Sequence, residues 1–144
     1  MQSTIPALVI RRILNAPPQR VYDAWTQPSL ATKFICPQDV TVEDVSFDVR
    51  VGGAYHIAMR VSDDDVWTVR GVYREVQPGK RLSMTWKWDE ENSANEQETL
   101  LTIDIAPHGS GTELTLTHEH FTSEESRSSH EHGWNSMLDK METL

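Results

Sequence analysis

Residues 80–88, Lys80-Arg81-Leu82-Ser83-Met84-Thr85-Trp86-Lys87-Trp88, alternate without a break. Leu82, Met84, Trp86 and Trp88 fall on one side, and Arg81, Ser83, Thr85 and Lys87 on the other. A period of two marks a β-strand with one face against a core. The same period recurs outward in both directions. Downstream, residues 99–105 set Leu101, Ile103 and Ile105 against Thr102 and Asp104. Residues 112–120 set Leu114, Leu116, His118 and His120 against Glu113, Thr115, Thr117 and Glu119. Upstream, residues 53–61 set Tyr55, Ile57, Met59 and Val61 against His56, Ala58 and Arg60. The stretch 66–76 is apolar on both sides, and Trp67, Val69 and Tyr73 are read as inward. A further run, Val45, Phe47, Val49 and Val51, ends at Gly52-Gly53, and another strand covers 7–14.

The breaks between these runs carry turn chemistry. Pro78-Gly79 and Gly109-Ser110-Gly111 each close a hairpin, and the polar segment 89–98 reads as a solvated hairpin loop. Two places read as helical. After Ala16-Pro17-Pro18, residues Val21, Tyr22 and Trp25 fall on one side of a short helix that Pro28 ends, and a second turn covers about 29–34. At the far end, Thr122 and Glu125 have the spacing of a capping box, with Phe121 as its staple. Trp134, Met137, Leu138, Met141 and Leu144 then mark one helical face over about 122–144. Gly133 in this helix lets it approach a sheet closely. The reading is α+β: a strongly curved seven-stranded antiparallel sheet wrapped around a long C-terminal helix, with two short helices after the first strand. A twisted sheet around a helix leaves a cavity between them.

Composition narrows the function classes. At 144 residues the chain is read as one domain, 1–144. Lys and Arg number 13 against 22 Asp and Glu, for a net charge of −9. Phosphates repel such a surface, so no nucleic-acid partner is expected, with Arg11, Arg12 and Arg20 the only local basic group. No apolar run is long enough to span a bilayer, so no membrane insertion is expected. The first residues lack a secretory pattern, which points to the cytoplasm. Cys36 is the only cysteine, which excludes an internal disulfide and a paired-cysteine metal or redox site.

The motifs resemble a known family. They are Arg12-Ile13-Leu14-Asn15-Ala16-Pro17 with Val21-Tyr22-Asp23-Ala24-Trp25-Thr26-Gln27-Pro28; Asp48-Val49-Arg50-Val51-Gly52-Gly53-Ala54-Tyr55; and Gly71-Val72-Tyr73-Arg74-Glu75-Val76 with Pro78-Gly79-Lys80-Arg81-Leu82 and Thr85-Trp86. Gly111-Thr112-Glu113-Leu114-Thr115-Leu116-Thr117-His118-Glu119 and Gly133-Trp134 complete the set. Their order is similar to the activator of Hsp90 ATPase homology family, within the START-related (SRPBCC) superfamily of helix-grip proteins. The resemblance implies the helix-grip fold and a family of small-molecule carriers, resistance proteins and bacterial proteins.

With that resemblance, the inward aromatic set Trp25, Phe34, Tyr55, Trp67, Trp86, Trp88 and Trp134 becomes a candidate ligand site. The expected lining is Tyr55, Ile57, Met59, Trp67, Trp86, Leu101, Leu116 and His118 from the sheet, and Trp134, Met137 and Met141 from the helix. Phe34, which stands where relatives often carry Trp, is placed near the mouth. The expected function is binding of a small hydrophobic or aromatic molecule, as a carrier, sensor or sequestering protein. The alternatives are a chaperone-associated module and, more weakly, a cyclase-like or hydrolytic enzyme. No catalytic residue, metal or cofactor is assigned. His118 and His120 share a strand face but lack a third ligand, and His130 and His132 point apart on a helix. Asp48 and Arg50 read as fixing a loop, and Glu75 as anchoring a strand end.

Overall fold

A computed structural model of the chain describes residues 5–35, 40–89 and 97–143. Seven strands run through it: β1 (Leu8–Leu14), β2 (Thr41–Phe47), β3 (Ala54–Ser62), β4 (Asp65–Gln77), β5 (Arg81–Trp88), β6 (Thr99–His108) and β7 (Gly111–Glu119). Helices α1 (Pro18–Thr26) and α2 (Pro28–Ala31) separate β1 from β2, and α3 (Glu124–Met141) follows β7. The sheet order is β1-β7-β6-β5-β4-β3-β2, with every pair antiparallel. Strands β2 to β7 therefore form a meander, and β1 joins its far edge. The sheet curls as a half-barrel around α3, which is the helix-grip arrangement.

Alternation sets the register. His118 on β7 lies opposite Leu101 on β6, Leu101 opposite Met84 on β5, and Met84 opposite Tyr73 on β4. Those inward residues bury almost completely, against Trp134, Met137, Leu138 and Met141 of α3. Gly79 and Gly109 sit at the hairpin tips with φ +75° and +58°, a backbone region that side chains with a Cβ rarely adopt.

Several local expectations need correction. β2 ends at Phe47, so Val49 and Val51 belong to the turn before Gly53, and Val51 is exposed. That turn is held by backbone bonds, including Gly53 N–H to the Arg50 carbonyl, and by the Arg50–Asp48 ion pair. Val61 is exposed because the register with β4 shifts between Arg60 and Ser62, which turns Val61 out of the inward row. The cap of α3 is Ser123, not Thr122: its hydroxyl accepts from Ser126 N–H at 3.1 Å. The helix runs 124–141 rather than about 122–144. His120 lies beyond β7 with φ +76° and does not share the strand face of His118. Cys36, the tip of the 89–98 loop and Leu144 lie outside the described residues.

The ion pairs tie elements together at the surface. Arg81 bridges Glu75 on β4 and Asp104 on β6, in keeping with Glu75 as an anchor. Arg12 on β1 reaches Asp139, Glu142 and the Asn135 amide oxygen, and so fastens the C-terminal half of α3 to the sheet edge. No described helix is long and apolar enough to cross a membrane.

Candidate functional site

The C-terminal half of α3 is buried through Trp134, Met137, Leu138 and Met141, while sheet and helix part near its first turns. There they enclose a cavity of about 520 Å³ that opens to solvent. Met59, Trp67, Trp86 and Trp88 line it from β3, β4 and β5, and Ile35 from the segment after α2. Trp134 and Met137 line it from α3, with Gly133 between the turns. Ser123, Glu125, Ser126, Ser129 and His130 form its polar side.

The indole rings form walls at steep angles to one another. Trp86 and Trp88 stand edge-to-face at 5.9 Å and 89°, and Trp67 and Trp88 at 5.8 Å and 75°. Trp86 and Trp134 close the deep side, with centroids 4.9 Å apart. The quadrupoles of aromatic rings favour such edge-to-face contacts over sandwiches.

Two histidines fix these rings. His118 is fully buried behind them. Trp134 Nε1–H donates to His118 Nδ1 at 3.0 Å, so the proton sits on Nε2. Nε2–H then donates to the Thr99 hydroxyl at 2.7 Å, and that hydroxyl donates to the Trp86 carbonyl at 2.9 Å. Burial, and secondarily the neighbouring His130, hold the His118 pKa well below its ordinary 6.5. The imidazole is neutral, and both ring nitrogens are engaged.

His130 has the opposite tautomer. The Ser126 carbonyl can only accept, so His130 Nδ1–H donates to it at 2.8 Å. Nε2 is left as an acceptor, and it receives the indole N–H of Trp88 at 3.1 Å and of Trp86 at 3.3 Å. A proton on Nε2 would face two donors. The two imidazoles meet at 4.8 Å, nearly perpendicular, with Phe121 packed on both.

Of the residues expected at the site, Met59, Trp67, Trp86, Trp134 and Met137 line the cavity. Ile57, Leu101, Leu116, His118 and Met141 are buried in the packed core behind it. Tyr55 is also behind the wall: its hydroxyl donates to the Thr85 carbonyl at 2.5 Å, across Gly71, where a Cβ would lie 2.5 Å from the Tyr55 ring. Burial raises the Tyr55 pKa well above 10.0, so this hydroxyl stays a donor. Phe34 is buried, and its neighbour Ile35 is the residue that reaches the cavity. Trp88 stands in the expected inward aromatic set but not in the expected lining, and His130 and the serine-rich first turns of α3 are in neither. Signals for two of them were available: Trp88 shares the face of Trp86, and His130 stands four residues before Trp134.

The arrangement offers apolar contact, ring faces and a few hydroxyls. Among the described residues no group of three or more His, Cys, Asp or Glu side chains could hold a metal ion.

The model of the family described as activator of Hsp90 ATPase homolog 1-like protein matches residues 15–144. No curated protein matches the chain. Among solved structures, a protein from Chromobacterium violaceum is 28% identical, covering 96% of this chain and 95% of its own, with a TM-score of 0.87. A protein from Nitrosomonas europaea is 26% identical, covering 95% and 92%, with a TM-score of 0.80. The AHSA1 protein from Silicibacter pomeroyi, 21% identical with 96% of both chains covered, has a TM-score of 0.84 and supports the fold alone.

Proposed function

Because this chain belongs to the activator of Hsp90 ATPase homolog 1-like family, we propose that it binds a small hydrophobic or aromatic molecule between the sheet and α3. The observation that carries this is the cavity of about 520 Å³ with indole walls. A core that only packs closes such space to interior density. Small-molecule sites commonly enclose roughly 300–1,000 Å³, mostly apolar with a few polar groups. The direct contacts are Met59, Trp67, Trp86, Trp88, Trp134 and Met137. The role is that of a cytoplasmic carrier, sensor or sequestering protein.

A chaperone-associated role is the second reading, and the family's printed description is what favours it. One pair of measurements separates them. A ligand that binds only the folded state stabilises it by mass action, by about 2.7 kcal/mol at a hundredfold excess over Kd. A screen of aromatic compounds and lipids should therefore raise Tm for some members, and native mass spectrometry of protein from its own host should carry the molecule. No shift across the screen, with a response of the host's Hsp90-type ATPase, would reverse the order of the two readings.

A further inference from the structure

We infer that the ligand taken by this cavity is a hydrophobic cation, a quaternary ammonium or a protonated amine carrying an aromatic or aliphatic body. The inference rests on the cavity being a binding site, and it names the chemistry that the walls select.

The first observation concerns the indole N–H groups. All four tryptophans that line the cavity have theirs engaged by the protein. Trp86 and Trp88 donate to His130, Trp134 to His118, and Trp67 to the Asp65 carboxylate at 3.0 Å. None is left to donate to an anionic or carbonyl-bearing ligand. What the indoles offer is their π faces and C–H edges. A face of Trp is the best of the side-chain partners for a cation. Donation from Trp67 to a carboxylate pushes electron density into that ring, as hydrogen bonds polarise their members.

The second observation is charge. Among the described residues that line the cavity, Glu125 is the one that is formally charged at neutral pH, and none is Lys or Arg. His130 also lines it, with its Nε2 turned toward the two indole N–H groups rather than into the space. The protein as a whole carries −9. A neutral hydrophobe would use the ring faces and leave Glu125 idle. Among the described residues, an anion would meet a carboxylate and no Lys or Arg. A cation gains from the faces, from Glu125 at the opening and from the long-range field together.

The third observation is the steep angle between rings. With Trp67 against Trp88 at 75° and Trp88 against Trp86 at 89°, successive walls turn around the space rather than stacking flat. A compact tetrahedral head such as trimethylammonium presents methyl groups in several directions, and walls that turn suit it better than a slot.

The test compares three probes of one shape by isothermal titration calorimetry at low salt. They are 1-naphthylmethyl(trimethyl)ammonium, its carbon isostere 1-neopentylnaphthalene, and 1-naphthylmethanesulfonate. The cation should bind about tenfold or more tighter than the isostere, and the sulfonate weakest, in line with the size of desolvated cation–π contacts. Glu125→Gln, at an exposed position, should narrow the gap between cation and isostere and leave the isostere's Kd unchanged. Trp67→Leu should narrow it again, with thermal unfolding confirming that both variants fold. An isostere that binds as tightly as the cation, or a sulfonate that binds tightest, overturns the cation inference while the cavity remains a ligand site. Failure of all three probes, together with a silent aromatic and lipid screen, overturns both.

Discussion

The two ends of the interior are built by the same alternation and end up different. At one end α1 lies over β6 and β7, and Val21, Ile103, Leu114 and Leu116 are all wholly buried. At the other, β3, β4 and β5 curl away from the first turns of α3, and Met59, Trp67 and Trp88 face open space. Between them stand two histidines, one sealed in the core and one on the cavity wall. The contrast teaches that an inward-pointing side chain is not yet a packed one. Whether it packs depends on how closely the covering helix lies, which its neighbours on the strand do not encode.

The sharpest way to break this contrast is truncation at both ends. Leu116→Ala in the closed end should cost about 2–5 kcal/mol in a denaturant melt, the range for a large aliphatic lost from a packed core. Trp88→Ala at the open end should cost less than the ~3–5 kcal/mol of a fully packed aromatic. Equal losses would mean that the two ends are packed alike.

Next in size is the boundary between them. His118→Leu removes the acceptor of Trp134 N–H and the donor to Thr99. Leaving a buried donor unsatisfied costs about 1–3 kcal/mol. His118→Gln keeps one acceptor and one donor, so it should recover part of that loss. If Leu and Gln behave alike, the hydrogen-bond chain contributes nothing and only ring packing matters.

A smaller effect is expected from pH. Burial first, and His130 second, lower the pKa of folded His118, so the unfolded chain takes up a proton that the folded one refuses. The stability tied to the neutral ring is complete above the unfolded value of about 6.5. It falls as pH drops below that value, by up to about 1.4 kcal/mol per pH unit, and levels off below the folded pKa. The stability difference between wild type and His118→Gln, measured from pH 7.5 to 5, should carry this slope. A flat difference would place His118 in water.

The smallest effect should come from Arg12→Met. Arg12 is largely covered, but Asp139 and Glu142 are exposed, so the ion pairs are worth about 0.2–1 kcal/mol at most. The loss should shrink in salt. A larger loss would mean that the C-terminal half of α3 is held at its edge as much as by its apolar face.

Against this background, what the sequence makes legible follows the physics of each feature. Strands with a clean alternation, such as β5, β6 and β7, can be read nearly to their ends, because the apolar face sets the period, although Ser83, Thr85 and Thr102 on the opposite face are buried as well. Val61 cannot, because a bulge resets parity and leaves no mark in the residue types. The helix cap is off by one residue, since Thr122 and Ser123 are both competent hydroxyls and only the backbone decides between them. At the site, parity correctly separates inward from outward for Leu101 and Met59 alike. It says nothing of depth, and so mixes core residues with lining ones. His130 escapes because its role depends on two indoles from another element converging on one nitrogen.

The place of β1 in the sheet also has a consequence in time. Leu8 pairs with His118 and Leu14 with Thr112, so the strand made earliest is hydrogen-bonded to the one made last. During synthesis the meander from β2 to β6 can assemble strand by strand through local hairpins, while β1 has no partner until β7 emerges. Closing that longest loop is the entropically dearest step of the assembly. Until then Leu8, Ile10 and Leu14 remain uncovered, together with Val9 and Ile13, which stay exposed in the finished protein. The nascent chain thus carries an uncovered apolar strand until β7 is made, and the β1–β7 seam is a place where a second chain could pair instead.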